Sequence, residues 1–191
     1  MIVYENNKKW FLDDVSNGLM VRKIEEMFEK HGIRKESQAE KNSWINSLAR
    51  MGIILSDSRI SDDVDVAVEF QIPLTSKRVD FMIAGKNDVS DNVVVIELKQ
   101  WEKVEKVANE MLHSVRAFTG GAVRMVSHPS YQAYSYAVFI RNSSEQVQDN
   151  DINIIPCAYL HNYDEKYLSE LDDEIYKDWY NEAPFFIKNQ V

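Results

Sequence analysis

The sequence contains little cysteine, glycine or proline, and it lacks any long hydrophobic run. Its single cysteine, Cys157, excludes an internal disulfide and a zinc site built from several cysteines. Six glycines and four prolines are too few for a fibrous repeat or a disordered chain, and no glycine-rich phosphate loop is present. No apolar stretch approaches the roughly 18 residues that a membrane-spanning helix needs. We therefore expect a soluble, cytoplasmic globular protein that has no membrane partner.

Positive charge is also scarce, because 22 Lys and Arg stand against 31 Asp and Glu, for a net charge of -9. This balance argues against a nucleic-acid ligand, since a polyanion usually binds to a basic surface. The acids are concentrated near the C-terminus, however. Residues 145–182 contain 11 acids and two lysines, whereas residues 66–141 contain nine basic and eight acidic residues. The middle third therefore leaves room for a locally neutral or positive face.

The first half of the chain has clear hydrophobic periodicity. A period near 3.6 predicts helices over residues 16–31 and 38–51, the second with Trp44, Leu48 and Met51 on its apolar face. Ser37 and Glu40 have the spacing of a capping box at the start of the second helix. A period of two predicts strands over residues 64–72 and 79–84, joined by a turn at residues 73–77. An unbroken apolar run predicts a central strand over residues 93–98, covered on both faces.

The second half is less regular. Residues 101–111 are compatible with a helix, and residues 114–118 with a strand that ends before two glycines. Pro129 predicts the first turn of a helix that runs to about Arg141. A strand over residues 152–160 and an acidic helix over residues 167–180 follow. This order predicts an α/β domain with a mixed sheet flanked by helices.

Three charged residues on the predicted strands are the candidates for catalysis. Glu97 and Lys99 share one strand face, and Asp80 lies on the face opposite Val79 and Phe81. If the two strands are neighbours, Asp80 and Glu97 converge. Two close carboxylates repel each other, and a shared Mg²⁺ keeps both ionised while it polarises a phosphoryl oxygen and activates water. Spacing alone favours ordinary surface charges at strand ends, because Glu-x-Lys is a common pattern.

The segments around these residues resemble the core of the PD-(D/E)XK nucleases. They are residues 68–80, VEFQIPLTSKRVD, and residues 93–101, VVVIELKQW. More narrowly, they are similar to the nuclease domain at the N-terminus of bacterial nuclease-helicase fusions, in front of a superfamily I helicase. Residues 128–136, HPSYQAYSY, and residues 156–163, PCAYLHNY, resemble further stretches of that family in the same order.

The resemblance implies a restriction-endonuclease-like nuclease domain over residues 36–191, preceded by a helical extension over residues 1–35. It implies a deoxyribonuclease that depends on Mg²⁺, with Mn²⁺ as a substitute. Asp80 and Glu97 would be metal ligands, and Lys99 would lie beside the attacking water. Valine precedes Asp80 where the classical motif has proline.

The resemblance also extends to the predicted helix that starts at Pro129. Gln132 and Tyr136 match the Gln-x-x-x-Tyr element of RecB-like nucleases, in which the glutamine lies near the metal site and the tyrosine supports it. A spacing of four places both on one helix face. The structural alternative is a buried tyrosine with an incidental glutamine.

Several further residues have two interpretations each. Glu40 lies on the apolar face of its helix and is a candidate for an additional metal ligand, or it caps the helix at Ser37. Glu69 competes for the same role. His128 could contact a phosphate or cap the helix that follows it. The candidates for phosphate contacts outside the catalytic set are Lys77 and Arg78, in the turn before Asp80.

The sequence supports three functional hypotheses. The leading one is a nuclease acting on DNA. The second is a catalytically inactive module of the same fold that binds nucleic acid or docks a partner, and the third is a structural domain unrelated to nucleic acid. Residues 183–188 resemble the point at which relatives continue towards the helicase, which predicts a helicase domain in cis in a longer protein. Self-association is left open.

Overall fold

The computed structural model describes residues 1–32, 37–73, 75–107 and 112–190. Its helices are α1 (Lys8–Ser16), α2 (Met20–Lys30), α3 (Gln38–Leu55), α4 (Pro129–Ser143), α5 (Glu145–Asp149) and α6 (Lys177–Glu182). Its strands are β1 (Tyr4–Asn7), β2 (Asp65–Gln71), β3 (Arg78–Lys86), β4 (Asp91–Lys99), β5 (Val104–Lys106), β6 (Ser114–Thr119), β7 (Ala122–Ser127), β8 (Asn153–Leu160) and β9 (Phe185–Ile187).

The strands form two sheets, one of six strands in the order β1-β2-β3-β4-β8-β9 and one of three strands in the order β5-β6-β7. The larger sheet is mixed, because β8 and β9 are parallel while β1, β2 and β3 are antiparallel. The predicted α/β class with a mixed sheet and flanking helices is confirmed. Among the described helices, none is both long and apolar enough to cross a membrane.

The chain divides into two compact units. The first contains Met1–Val93 with Asp151–Asn153, and the second contains Val94–Asn150 with Ile154–Val191. Strand β4 begins in the first unit and continues into the second. The boundary predicted between residues 35 and 36 lies in the segment 33–36, outside the described residues.

The first unit includes a strand that the sequence analysis missed. Residues 4–7 form β1, which pairs antiparallel with β2 in the register Tyr4↔Val68. The helix predicted over residues 16–31 forms as α2, and it is preceded by α1, which the hydrophobic periodicity did not predict. Gly18 adopts a left-handed backbone with φ 67 between the two helices. Phe11 of α1 and Ile24 of α2 are fully buried, so both helices contribute to the core of this unit.

Helix α3 agrees with its prediction. It starts at Gln38, and the Ser37 side chain accepts a hydrogen bond from the Glu40 backbone while the Glu40 side chain accepts one from the Ser37 backbone. The predicted capping box is therefore present. The apolar face predicted from the spacing, Trp44, Leu48 and Met51, is buried.

The second unit has a core of its own, which joins the three-stranded sheet to the C-terminal segments. Its fully or nearly fully buried members are Val104, Val115, Ala117, Leu160, Tyr163, Leu171, Tyr176 and Ile187. The strand predicted over residues 114–118 is confirmed as β6. The helix considered over residues 101–111 is wrong for residues 104–106, which form β5, and its last four residues lie outside the described part.

The acidic helix predicted over residues 167–180 is wrong. Residues 165–170 and 174–176 form separate 3₁₀ turns, and only Lys177–Glu182 is α-helical. The Asp173 side chain accepts a hydrogen bond from the Ile175 backbone and starts a new turn there. Burial of Leu171 and Tyr176 in the core fixes this broken path, which periodicity alone does not encode.

Candidate active site

Two carboxylates of the first unit lie opposite each other on neighbouring strands. Strands β2 and β3 pair through Val68↔Phe81 and Phe70↔Val79, and Glu69 and Asp80 are the residues between these pairs. Val79 and Phe81 are fully buried while Asp80 is partly exposed. The predicted orientation of Asp80, opposite the packed face of its strand, is therefore confirmed.

The backbone at Glu69 is strained. Its φ is 54, one of two positive values among the described non-glycine residues. Such a conformation costs about 1–3 kcal/mol at a non-glycine residue and persists only where surrounding contacts hold it. The Trp44 indole Nε1 donates to Glu69 Oε1 over 2.9 Å, and Arg78 Nη1 lies 3.5 Å from Oε2. These contacts fix the Glu69 carboxylate, which belongs to the same pair of strands as Asp80.

The environment of Glu69 favours its protonated form. Burial, and next the negative charge of Asp80, raise the pKa of Glu69 to about 7. The Trp44 hydrogen bond and the Arg78 guanidinium oppose that shift without cancelling it. A carboxyl group with a pKa near 7 beside a second acid is a common feature of metal and catalytic sites.

The second unit contains a buried ion pair at the end of β4. The side chain of Glu97 is 1% exposed, and Lys99 Nζ lies 2.6 Å from its Oε1. The predicted common face of Glu97 and Lys99 is therefore confirmed. The Lys99 ammonium also lies over the Trp101 ring, 5.1 Å from its centroid, and the Lys99 carbonyl accepts the backbone N–H of His161. The Trp101 contact therefore fixes the Lys99 ammonium, and the His161 hydrogen bond fixes the Lys99 backbone at the end of β4.

The candidate pair on α4 is also formed within the second unit. Gln132 Nε2 donates to the Tyr136 hydroxyl over 2.9 Å, as expected for residues four apart on one helix face. Tyr136 is 7% exposed, so the tyrosine is part of the core and the glutamine is held at its edge. This contact is compatible with a supporting role for Gln132 and Tyr136. A role of either residue in catalysis stays a prediction.

Of the two candidates for an additional acid, Glu69 lies beside Asp80. Glu40 is exposed, and its Oε2 accepts hydrogen bonds from the backbone and hydroxyl of Ser37, each over 2.8 Å. The capping alternative for Glu40 is therefore confirmed. A metal-binding role for Glu40 stays a prediction.

His128 caps α4 from inside the protein. Its Nδ1 accepts the backbone N–H of Ser130, its Nε2 donates to the Leu171 carbonyl over 3.1 Å, and the side chain is fully buried. Burial lowers the pKa of His128 to about 4, which keeps the ring neutral. The cap is the role that these contacts support, since a phosphate needs an accessible donor.

The two basic residues before Asp80 have different environments. Arg78 pairs with Glu69, and its guanidinium lies 4.8 Å from the centroid of the Phe28 ring. Lys77 is exposed in the turn. Arg78 therefore belongs to the carboxylate cluster, and phosphate contacts by either residue stay a prediction.

The donor atoms near Asp80 fit a small hard cation. Mg²⁺ commonly takes one or two carboxylates and keeps several waters, and Glu69 and Asp80 supply two carboxylates within one unit. Among the described residues, no group of three or more His, Cys, Asp or Glu side chains is placed to hold a metal. The single cysteine is not a candidate ligand or nucleophile, because burial raises the pKa of Cys157 to about 12.

Sequence reasoning missed the residues that hold the candidate acids. Trp44 was predicted only as a core residue, although a buried indole N–H requires an acceptor and so signals a nearby polar group. Arg78 was predicted only as a phosphate contact, and Trp101 had no predicted role. Their contacts join segments that are distant in sequence, which no local pattern reveals.

Comparisons with protein-family models, with curated proteins and with solved structures found no match.

Proposed function

We propose that the protein is a metal-dependent nuclease that hydrolyses DNA phosphodiester bonds. The observation that carries the proposal is the Glu97–Lys99 pair, with the acid 1% exposed and the ammonium 2.6 Å away. A buried ion pair is weak evidence for stability, because apolar residues of similar size are often as good or better. A functional demand on these two charges accounts for their burial at the end of a strand.

The carboxylate cluster around Asp80 supports the same proposal. Glu69 lies directly opposite Asp80, and it has both a strained backbone and a raised pKa. Strain and shifted pKa values concentrate at functional sites, where ligand binding compensates for them. We assign the additional acid to Glu69 instead of Glu40, since Glu40 is the capping residue of α3.

Each residue then has a chemical role. Asp80 and Glu97 would hold Mg²⁺, and Glu69 would assist Asp80. When bound, the cation supplies charge stabilisation at the phosphoryl oxygens. The Lys99 ammonium orients the attacking water and opposes the negative charge that develops on the phosphate. Gln132 supports the site through its hydrogen bond to Tyr136. A helicase domain in cis and a cytoplasmic location belong to the same proposal.

A cleavage assay tests the proposal. Purified protein is incubated with labelled single-stranded and duplex DNA in Mg²⁺ or in EDTA. We expect cleavage only with Mg²⁺, and a loss of about a thousandfold or more in Asp80→Asn, since several kcal/mol of transition-state stabilisation disappear. The matched control is Asp88→Asn, the same change at an exposed residue of the β3–β4 loop.

The outcomes separate this proposal from a binding module. Cleavage that survives Asp80→Asn in a folded protein would refute the assignment of the site. DNA binding without cleavage in Mg²⁺ or Mn²⁺ would instead identify a catalytically inactive module of the same fold.

A further inference from the structure

The polar atom of Trp44 lies at the carboxylate cluster of the first unit. Trp44 of α3 is 9% exposed, and its ring packs against Phe28 of α2 with the ring centroids 5.6 Å apart. An indole N–H is a donor only, and burial requires an acceptor for it. Its acceptor is Glu69 Oε1, 2.9 Å away. Trp44 therefore joins α3 to a candidate acid of the site in addition to packing in the core.

The two carboxylate oxygens of Glu69 have different neighbours. Oε1 accepts a hydrogen bond from the neutral indole, whereas Oε2 lies 3.5 Å from Arg78 Nη1. The second distance exceeds the roughly 3 Å of a well-formed hydrogen bond, so this contact is the weaker of the two. The Arg78 guanidinium also lies over the Phe28 ring, 4.8 Å from its centroid. Oε2 is therefore the oxygen that can exchange its neighbour for a metal ion.

The two contacts respond differently to a cation beside Asp80. The indole N–H has no net charge and remains compatible with a cation on the other oxygen of Glu69. Arg78 is positively charged and shares one face of β3 with Asp80, two residues along the strand. Its guanidinium repels a divalent cation that binds between Glu69 and Asp80. Trp44 therefore favours the binding of a cation, and Arg78 opposes it.

We propose that Trp44 positions Glu69 for a divalent cation and that Arg78 competes with this cation for Glu69 Oε2. The proposal rests on the proposed function for a metal ion at Asp80, and it adds two residues that set the affinity of the site. Substitution of a residue that holds a metal ligand in place commonly changes metal affinity by about tenfold or more. The left-handed backbone of Glu69, with φ 54, also persists only where surrounding contacts hold it.

The positioning role is tested by the affinity for Mn²⁺ alone. Free Mn²⁺ is measured by electron paramagnetic resonance on the full chain without DNA, at pH 8, where Glu69 with its pKa of about 7 is mostly ionised. Trp44→Phe keeps an aromatic ring against Phe28 and removes the N–H, so we expect Mn²⁺ binding to weaken about tenfold. The control Trp10→Phe makes the same change at a residue of α1 that is 53% exposed, and it should bind as the wild type does.

A double-mutant cycle separates positioning from packing. If Trp44 acts through Glu69, its substitution has no further effect once the Glu69 carboxylate is removed. Trp44→Phe in a Glu69→Gln background should therefore bind Mn²⁺ as Glu69→Gln alone does, within about twofold. A loss of packing at α3 would instead weaken binding by the same factor in both backgrounds, and that result would overturn the positioning role.

The competing role predicts a change of the opposite sign. Arg78→Met keeps a long apolar side chain beside Phe28 and removes the charge, so Mn²⁺ should bind about fivefold more tightly. The control Arg22→Met removes the same charge from an exposed site of α2 and should change the affinity by less than about twofold, because salt screens that charge. Weaker binding in Arg78→Met would overturn the competition.

These outcomes are separate from those of the cleavage assay. Mn²⁺ affinity that is equal in the wild type, Trp44→Phe and Arg78→Met would overturn this proposal, even for a protein that cleaves DNA. Affinities that change as expected in a protein that does not cleave DNA would support the roles of Trp44 and Arg78 and refute the nuclease proposal alone. A wild type that binds no Mn²⁺ would overturn both.

Discussion

The two units hold their acidic candidates in opposite ways. In the first unit, Glu69 and Asp80 lie opposite each other on paired strands. Burial, and next the negative charge of Asp80, raise the pKa of Glu69 to about 7. In the second unit, Glu97 is more deeply buried but has an ammonium 2.6 Å away. The first cluster therefore has an excess of negative charge, and the second is balanced within the protein.

This difference explains what each cluster would contribute to a metal site. An acidic pair that resists ionisation gains from a cation, because the cation relieves both the repulsion and the desolvation penalty. A compensated pair gains less and instead keeps its lysine in a fixed position. Under the nuclease proposal, the first cluster would supply most of the metal affinity, and the second would supply an oriented ammonium beside Glu97.

The largest expected effect follows from removing the compensation in the second unit. Lys99→Met leaves the buried Glu97 carboxylate without this ammonium, so the free energy of unfolding should fall by about 3–5 kcal/mol. Urea denaturation at pH 7 measures the change. The double variant Glu97→Gln/Lys99→Met contains neither charge and should recover at least half of the loss. A double variant as unstable as the single one would show that the Lys99 ammonium does not compensate the charge of Glu97.

The next largest expected effect is a pH dependence of stability that arises in the first cluster and not in the second. The pKa of Glu69 is about 7 in the folded protein, above its ordinary value of 4.5. Its contribution to stability is therefore fully present below pH 4.5 and lost as pH rises through 7. In EDTA at pH 8.5, Glu69→Gln should be more stable than the wild type by about 3 kcal/mol, and the two should converge near pH 4.

The control for this pH experiment is Glu5→Gln, the same change at an exposed residue of β1. It should show no comparable gain at pH 8.5. A Glu69→Gln protein that is less stable than the wild type throughout this pH range would contradict the raised pKa. It would also weaken the proposed contrast between the two clusters.

The smallest effect separates the two candidate acids of the first unit. Ser37→Ala removes one half of the capping box of α3 and should cost about 1 kcal/mol of stability. If Glu40 serves only as a cap, Glu40→Gln changes stability by a similar or smaller amount and leaves the cleavage rate within about threefold. Glu69→Gln should reduce cleavage at least tenfold. The reverse ranking would assign the additional acid to Glu40.

Much of the fold followed from local patterns. Alternation along β3 predicts the orientation of Asp80, and the two-residue spacing on β4 predicts the contact of Glu97 with Lys99, because strand parity depends only on neighbouring residues. The capping box of α3 was predicted for the same reason. These features are encoded within a few residues of where they act.

The remainder depends on tertiary contacts. The left-handed backbone of Glu69 is held by Trp44 and Arg78, from other parts of the chain, and no sequence pattern marks it. The broken path of residues 165–176 likewise follows from the burial of Leu171 and Tyr176 and from the new turn that Asp173 starts. Periodicity predicted a continuous helix there because it contains no information on which side chains pack into the core.

The most direct test of the central claim is the binding of Mn²⁺ to a crystal of the protein, with anomalous scattering to locate the ion. We expect one Mn²⁺ with oxygen atoms of both Asp80 and Glu97 in its coordination shell, and with Glu69 closer to the ion than Glu40. Mn²⁺ absent from both carboxylates at saturating concentration, or bound to only one of them, would contradict the account.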